Sequence, residues 1–206
     1  MNQHKPFINR VIQAILRRIR HRRILFSARK NSQEAVSTRQ RLDKVLVVCY
    51  GNIYRSPLVE YLLKHNSNGG GLEVKSAGFF EKEGRGCAEE YLELLSKRGY
   101  DLAAHRSKKI TDDDISWADI IIIMDRKNWD LMNEMSSSAL EKTLWIGAFS
   151  PHMSVEVVDP YGLGEEATVT VIEQLERCVV DIIRRITDKQ SETDRPLSMQ
   201  KVDGDA

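Results

Sequence analysis

Cysteine is scarce in this 206-residue chain: Cys49, Cys87 and Cys178 are the only three. Three scattered thiols make no disulfide framework, and a thiol that works as a nucleophile needs a reducing compartment. No apolar run approaches the length of a membrane span. No His/Cys cluster at metal-ligand spacing occurs and no internal repeat, so no metal or other cofactor is expected. Acidic residues are missing until Glu34. Residues 1–44 hold twelve Lys and Arg against Glu34 and Asp43, a surplus of ten. The whole chain is only +1, so the remainder carries nine excess negative charges. An acidic body with basicity confined to one end excludes general nucleic-acid binding by the domain.

What is present is organised around residues 45–57. Val45-Leu-Val-Val48 is a buried-strand pattern that runs into Cys49. Gly51 and Asn52 follow, residue types that tolerate positive φ. Ser56-Pro57 then opens a helix with Leu58, Leu62 and Leu63 on one face. A loop that leaves a strand and enters a helix turns its backbone N–H groups into its own centre. With the helix dipole behind it, such a nest binds a phosphate-sized anion and favours a thiolate. Arg55 forks onto two oxygens of that anion. Singly, Cys49 reads as a small core residue and Arg55 as a surface ion-pair partner. Together in this layout they imply nucleophilic attack on a bound phosphoryl group.

The run Val48-Cys-Tyr-Gly-Asn-Ile-Tyr-Arg-Ser-Pro57 resembles the phosphate-binding loop of the low-molecular-weight protein tyrosine phosphatases. The resemblance continues through Ser76-Ala-Gly78, His105-Arg-Ser107, Ala118 to Asp125 and Val158-Asp-Pro-Tyr-Gly162, across residues 42–186. It implies hydrolysis of phosphotyrosine through a phosphocysteine, without a metal. Cys49 is then the nucleophile, Arg55 the phosphate clamp and Asp159 the general acid. Tyr50, Gly51, Asn52, Ile53, Tyr54 and Ser56 cradle the phosphate, and Tyr161 walls the cleft. Ser56 stabilises the thiolate, Asn52 and Ser76 hold the loop, and His105 has a positioning role. The family often has a second aromatic where Gly162 stands. It often has a second Cys at the position of Tyr54, which leaves Cys87 as a distant substitute partner for Cys49.

Strands are expected at residues 72–77, 119–124 and 140–146, and helices at 87–100, 126–135 and 166–186. Thr111 and Asp125 read as helix caps. Strands alternating with helices indicate an α/β fold: three layers around a central four-stranded parallel sheet, with helices on both faces. The phosphate-binding loop joins its first strand to the helix that follows. Phe79 or Phe80 is placed either in the cleft wall or in the core.

The expected domain spans residues 42–186, after a basic extension and linker (1–41) and before a polar, disordered tail (187–206). In residues 6–26, Ile8, Val11, Ile12, Ile15 and Ile19 fall at helical spacing among six arginines. This basic amphipathic helix suits an anionic membrane surface, an acidic partner or packing on its own domain. Being Arg-rich and acid-free, it also fits an organelle transit peptide. Residues 27–40 read as a polar linker. The expected setting is cytoplasmic, with peripheral membrane contact or organelle import as alternatives. The expected partner is a phosphotyrosine protein, a tyrosine kinase among the candidates. Two other functions compete: an arsenate reductase of related fold, which needs two relay cysteines, and a catalytically silent phosphoprotein-binding module tethered by its basic end.

Overall fold

The computed structural model describes residues 5–38, 42–67 and 71–193, with side chains at 5–8, 11, 14, 17, 20 and 186–193 outside that description. Four strands form one parallel sheet: β1 (Lys44–Cys49), β2 (Glu73–Gly78), β3 (Ile120–Ile123) and β4 (Thr143–Trp145), in the order β2-β1-β3-β4. Val45 to Val48 pair with Ile120 to Ile123, and all eight are wholly buried. Central parallel strands are covered on both faces, which is why these two runs are continuously apolar. At roughly 1.5–3 kcal/mol per buried side chain, they anchor the core.

The helices are α1 (Lys5–Thr38), α2 (Arg55–Asn66), α3 (Glu89–Ser96), α4 (Asp112–Trp117), α5 (Arg126–Met135) and α6 (Glu165–Thr193). Thr111 closes a capping box with Asp114, and Asp125 accepts from the Asn128 N–H, so both expected caps are present. α2 packs on α6. With the right-handed crossovers that parallel strands favour, the strand order puts α2 on one face of the sheet and the connections through α4 and α5 on the other. β1 leads outward to β2 and β3 leads the opposite way to β4. The switch point therefore lies between β1 and β3, and open α/β sheets bind ligands at the carboxyl ends of such strands. Cys49 ends β1 there, and Asp125 follows β3 by two residues.

Several boundaries differ from expectation. The helix expected over 87–100 spans only Glu89–Ser96. The strand expected at 140–146 is a 3-10 turn, Ser137–Lys142, followed by β4. The final helix runs through Thr193, beyond the expected onset of a tail; the rest of that tail, from 194, lies outside the described residues.

The largest difference is the polar stretch 27–40, expected as a linker. It continues α1 as far as Thr38. Ala28, Ser32 and Val36 are buried against the β4 edge and the 3-10 turn Ile146–Phe149. Ser32 Oγ accepts the Trp145 N–H at 3.1 Å, and Arg29 donates to the carbonyls of Ala148 (2.9 Å), Ser150 (2.8 Å) and Met153 (3.0 Å). These polar residues are inside because they satisfy backbone groups that an edge strand and a folded-back loop would leave unpaired. Of the upstream apolar stripe, the Ile8 and Val11 side chains lie outside the described residues, Ile12, Ile15 and Ile19 are about half exposed, as is Leu16 beside them, and Phe26 is 90% exposed.

The segment after β4 folds back so closely at Gly147 that an added Cβ would lie 2.1 Å from the Ser154 carbonyl oxygen and 2.7 Å from that of Val155. Gly147→Ala is expected to cost about 2 kcal/mol or more, because only backbone is available to move. Urea unfolding measures it, and an unchanged midpoint would contradict this close approach.

Candidate active site

The loop between β1 and α2 wraps the Cys49 sulfur. Sγ accepts from the Asn52 N–H at 3.2 Å and from Ser56 Oγ at 3.1 Å. The N–H groups of Tyr50, Gly51, Ile53 and Tyr54 have no acceptor among the described residues. Asn52 is the one non-glycine with positive φ among those residues, at 51°, a conformation Asn tolerates. Four contacts hold it there. Its Nδ2 donates to Ser56 Oγ and Ser76 Oγ, both at 2.9 Å, its Oδ1 accepts from the Lys108 N–H at 2.9 Å, and its carbonyl meets His105 Nε2 at 2.8 Å. Ser76 in turn donates to Glu60 at 2.5 Å. Burial lowers the His105 pKa against the opposing pull of the Asn52 contact, and because a carbonyl oxygen only accepts, Nε2 carries the proton of that contact. Asn52, Ser56, Ser76 and His105 thus form one scaffold under the loop. Beside it, Gly78 leaves room for the loop backbone: a Cβ there would lie 2.8 Å from the Tyr50 carbonyl oxygen.

Arg55 is 1% exposed. Its Nη1 donates to Asp125 Oδ2 at 2.5 Å and to the Val157 carbonyl at 2.9 Å. Nη2 lies 2.6 Å from Asp159 Oδ2 without hydrogen-bond alignment, and Nε has no acceptor among the described residues. The Nε–Nη2 edge, the one that forks onto a tetrahedral oxyanion, is therefore unsatisfied. Burial lowers the Arg55 pKa, but Cys49, Asp159 and Asp125 outweigh it and the net direction is up, so the guanidinium keeps its charge.

Cys49, 2% exposed, lies on the floor of a pocket of about 340 Å³ rather than sealed in the core. Tyr50, Gly51, Ile53 and Tyr54 form its lower wall, and Phe80 and Tyr161 its upper wall. Asp159 reaches the same space from the loop before α6. Of the two phenylalanines, Phe80 is the wall residue and Phe79 packs against the core. Tyr161 is 72% exposed and meets Tyr54 edge-on at 6.3 Å. The Tyr54 side chain is buried, and its hydroxyl donates to Glu90 at 3.2 Å. Burial, and then Glu90, push its pKa up to about 12. Burial, and then Cys49, likewise push the Cys87 thiol up to about 12, which leaves it a poor partner for oxidised Cys49.

Sequence reasoning missed three site residues. Asp125 was visible only as a helix cap, yet it also grips Arg55. Arg85 donates to the Gly51 carbonyl at 2.5 Å and lies 4.5 Å from the Phe80 ring centroid. Lys127 places Nζ 3.2 Å from the Tyr50 ring centroid. No local pattern marks Arg85 or Lys127 in the sequence. Asp125 is signalled by lying two residues beyond a fully apolar strand at the switch point.

Against known proteins, the family model for low molecular weight phosphotyrosine protein phosphatase matches residues 44–192. The chain belongs to that family. This phosphatase is 31% identical over 147 residues to the protein-arginine-phosphatase of Geobacillus stearothermophilus, covering 71% of this chain and 98% of that one. It is 30% identical over 145 residues to the probable low molecular weight protein-tyrosine-phosphatase EpsP of Ralstonia nicotianae, covering 70% and 97%. Among solved structures, the tyrosine phosphatase Wzb from Escherichia coli K30 in complex with sulphate aligns with a TM-score of 0.66 at 27% identity, over 71% of this phosphatase and 99% of that chain. The three-layer α/β architecture is common to them.

Asp125→Asn keeps a helix-capping side chain but removes one of the charges that balance Arg55. It is expected to lower kcat at least about tenfold and to reduce thermal stability. Turnover of p-nitrophenyl phosphate alongside a thermal melt checks both, and wild-type values in both would remove Asp125 from this role.

Proposed function

We propose that this phosphatase hydrolyses phosphotyrosine in proteins, with Cys49, Arg55 and Asp159 as its catalytic residues. The observation that carries this reading is their convergence. A sulfur held by two donors faces a buried guanidinium whose anion-binding edge is unsatisfied, and a carboxylate lies 2.6 Å from that edge.

The substrate phosphate enters the loop and takes the Nε–Nη2 edge of Arg55, with the N–H groups of Tyr50, Gly51, Ile53 and Tyr54 around its oxygens. Arrival of the phosphate displaces the Asp159 carboxylate from Nη2 towards the leaving oxygen, where, parted from the guanidinium, it takes up a proton. Cys49 sulfur attacks phosphorus in line, forming the S–P bond as the P–O bond to the phenol breaks, and Asp159 delivers a proton to that oxygen. Water then attacks the phosphorus of phosphocysteine and gives a proton to Asp159 as the S–P bond breaks, releasing inorganic phosphate. Ser56 and the Asn52 N–H stabilise the thiolate that is regenerated.

The aromatic wall of Tyr50, Phe80 and Tyr161 suits a phenyl ring. Arg85 and Lys127 on the same wall disfavour the cationic group of a phosphoarginine. Autophosphorylated tyrosine kinases belong to the favoured substrate class. A disulfide relay of the arsenate-reductase kind finds little support, because Cys87 and Cys178 are both buried with raised pKa values.

Residues 9–26 support a second element of function. Ile12, Ile15, Leu16, Ile19 and Phe26 lie exposed on the side of α1 turned away from the domain, flanked by Arg18, Arg22 and Arg23. The chemistry matches an anionic membrane surface for a cytoplasmic enzyme, whereas no described helix is long and apolar enough to cross a membrane. A cleavable leader fits less well, since residues 28–36 of the same helix are built into the fold.

Asp159→Ala should lower turnover of phosphotyrosine peptides by roughly 10²–10⁴ and that of p-nitrophenyl phosphate, with its better leaving group, far less. Equal losses on both substrates would deny Asp159 the acid role. For the membrane, the full chain should co-sediment with phosphatidylserine-containing vesicles and not with phosphatidylcholine alone, and Ile15→Glu with Ile19→Glu should abolish this. Sedimentation of wild type and variant alike would refute the apolar contact.

A further inference from the structure

A second concavity, of about 1090 Å³, lies between α1 and α5. Arg10, Arg18 and His21 line it from α1, and Arg126, Lys127 and Asp130 from α5. Asp130 is the one acid among its lining residues, and Arg126 Nε already holds it at 2.7 Å. His21 faces Glu156 Oε2 at 3.1 Å. Arg10, Arg18 and Lys127 are left as the positive surplus of the groove, on a chain whose body is otherwise strongly acidic.

Lys127 lines both this groove and the pocket over Cys49. The two spaces therefore meet at Lys127, beside Tyr50, which puts the groove within reach of a chain that leaves the pocket on that side. On the helical wheel, Arg10, Gln13 and His21 fall roughly opposite Ile12, Ile15 and Ile19. A bilayer engaged by the apolar side thus lies away from the groove, and a flat surface does not enter a concavity as an extended peptide does.

We propose that the groove binds an acidic segment flanking the phosphotyrosine of a protein substrate, so that the basic helix selects substrate as well as location. This rests on the phosphotyrosine reading above and narrows its substrate class. At about 3.3 Å per extended residue, a few Asp or Glu residues next to the phosphotyrosine span from Lys127 into the groove. Surface charges of this kind act mainly through encounter and are weakened by salt.

The test uses the full chain and two phosphotyrosine peptides of one sequence, flanked either by glutamates or by glutamines. Wild type should show kcat/KM about five- to tenfold higher on the glutamate peptide at low ionic strength, with the gap closing as salt is added. Arg10→Gln combined with Arg18→Gln should equalise the peptides while p-nitrophenyl phosphate turnover and the thermal midpoint stay at wild-type values. Equal kcat/KM in wild type overturns docking alone. So does a preference that survives in the double variant, since the acid is then read at the pocket by Arg85 and Lys127. Loss of vesicle sedimentation in that variant with peptide preference intact assigns the arginines to lipid and overturns the proposal as well. Failure of wild type to hydrolyse even the glutamine peptide removes the phosphotyrosine reading and this one with it.

Discussion

The interaction on which the rest depends is the burial of the Arg55 guanidinium beside the Cys49 sulfur. A guanidinium does not shed its charge, and an unpaired buried charge costs several kcal/mol. The fold meets this with groups drawn from separate parts of the chain: Cys49 at the end of β1, Asp125 past β3, and the Val157 carbonyl with Asp159 from the segment after β4. A parallel sheet whose strand order reverses between β1 and β3 brings those ends together. The satisfaction is deliberately one-sided. Nη1 is fully engaged, whereas Nε has no protein acceptor and Nη2 has a carboxylate that is poorly aligned and 40% exposed. The charge is held in place by one edge and presented to a ligand by the other.

The sequence made this core legible to an unusual depth because its signals are local. Continuous β-branched runs marked β1 and β3, Gly51-Asn52 marked the turn, and Ser56-Pro57 marked the helix start within a residue. Asp159 was different: by itself Asp-Pro reads as a turn, and only its place in a family pattern made it an acid. Asp125, Arg85 and Lys127 stayed hidden because their roles lie in contacts across 70, 34 and more residues of separation, which periodicity does not encode. Strand ends were also misplaced where backbone hydrogen bonding, not apolarity, sets the limit, as in the 3-10 turn that replaces the first half of the expected fourth strand.

The misreading of residues 27–40 has a more specific cause. Polarity in a sequence reads as solvation, but Arg29, Ser32 and Gln33 are polar because their partners are backbone atoms: the carbonyls of the loop after β4 and the N–H of Trp145. That loop leads through Glu156, which His21 contacts from the same helix, to Asp159. The helix outside the family match is thus mechanically continuous with the segment that carries the proposed acid. The family match begins at residue 44, but physical contact extends upstream of it.

The charge distribution follows from the same arrangement. A phosphoprotein approaching the acidic body meets repulsion that no single pocket cation offsets at a distance, since screening limits each to about 8 Å at physiological salt. Cations placed in sequence along the approach act over a longer path. Arg10 and Arg18 stand over the groove, Lys127 where it meets the pocket, Arg85 across from it on Phe80, and Arg55 at the base. Arg10, Arg18 and Lys127 are exposed, Arg85 is half-buried and Arg55 is only 1% accessible, so the attraction is strongest at the base of the pocket. On an acidic body, such a series of cations favours the approach of a phosphoryl group along the side where the Cys49 sulfur lies.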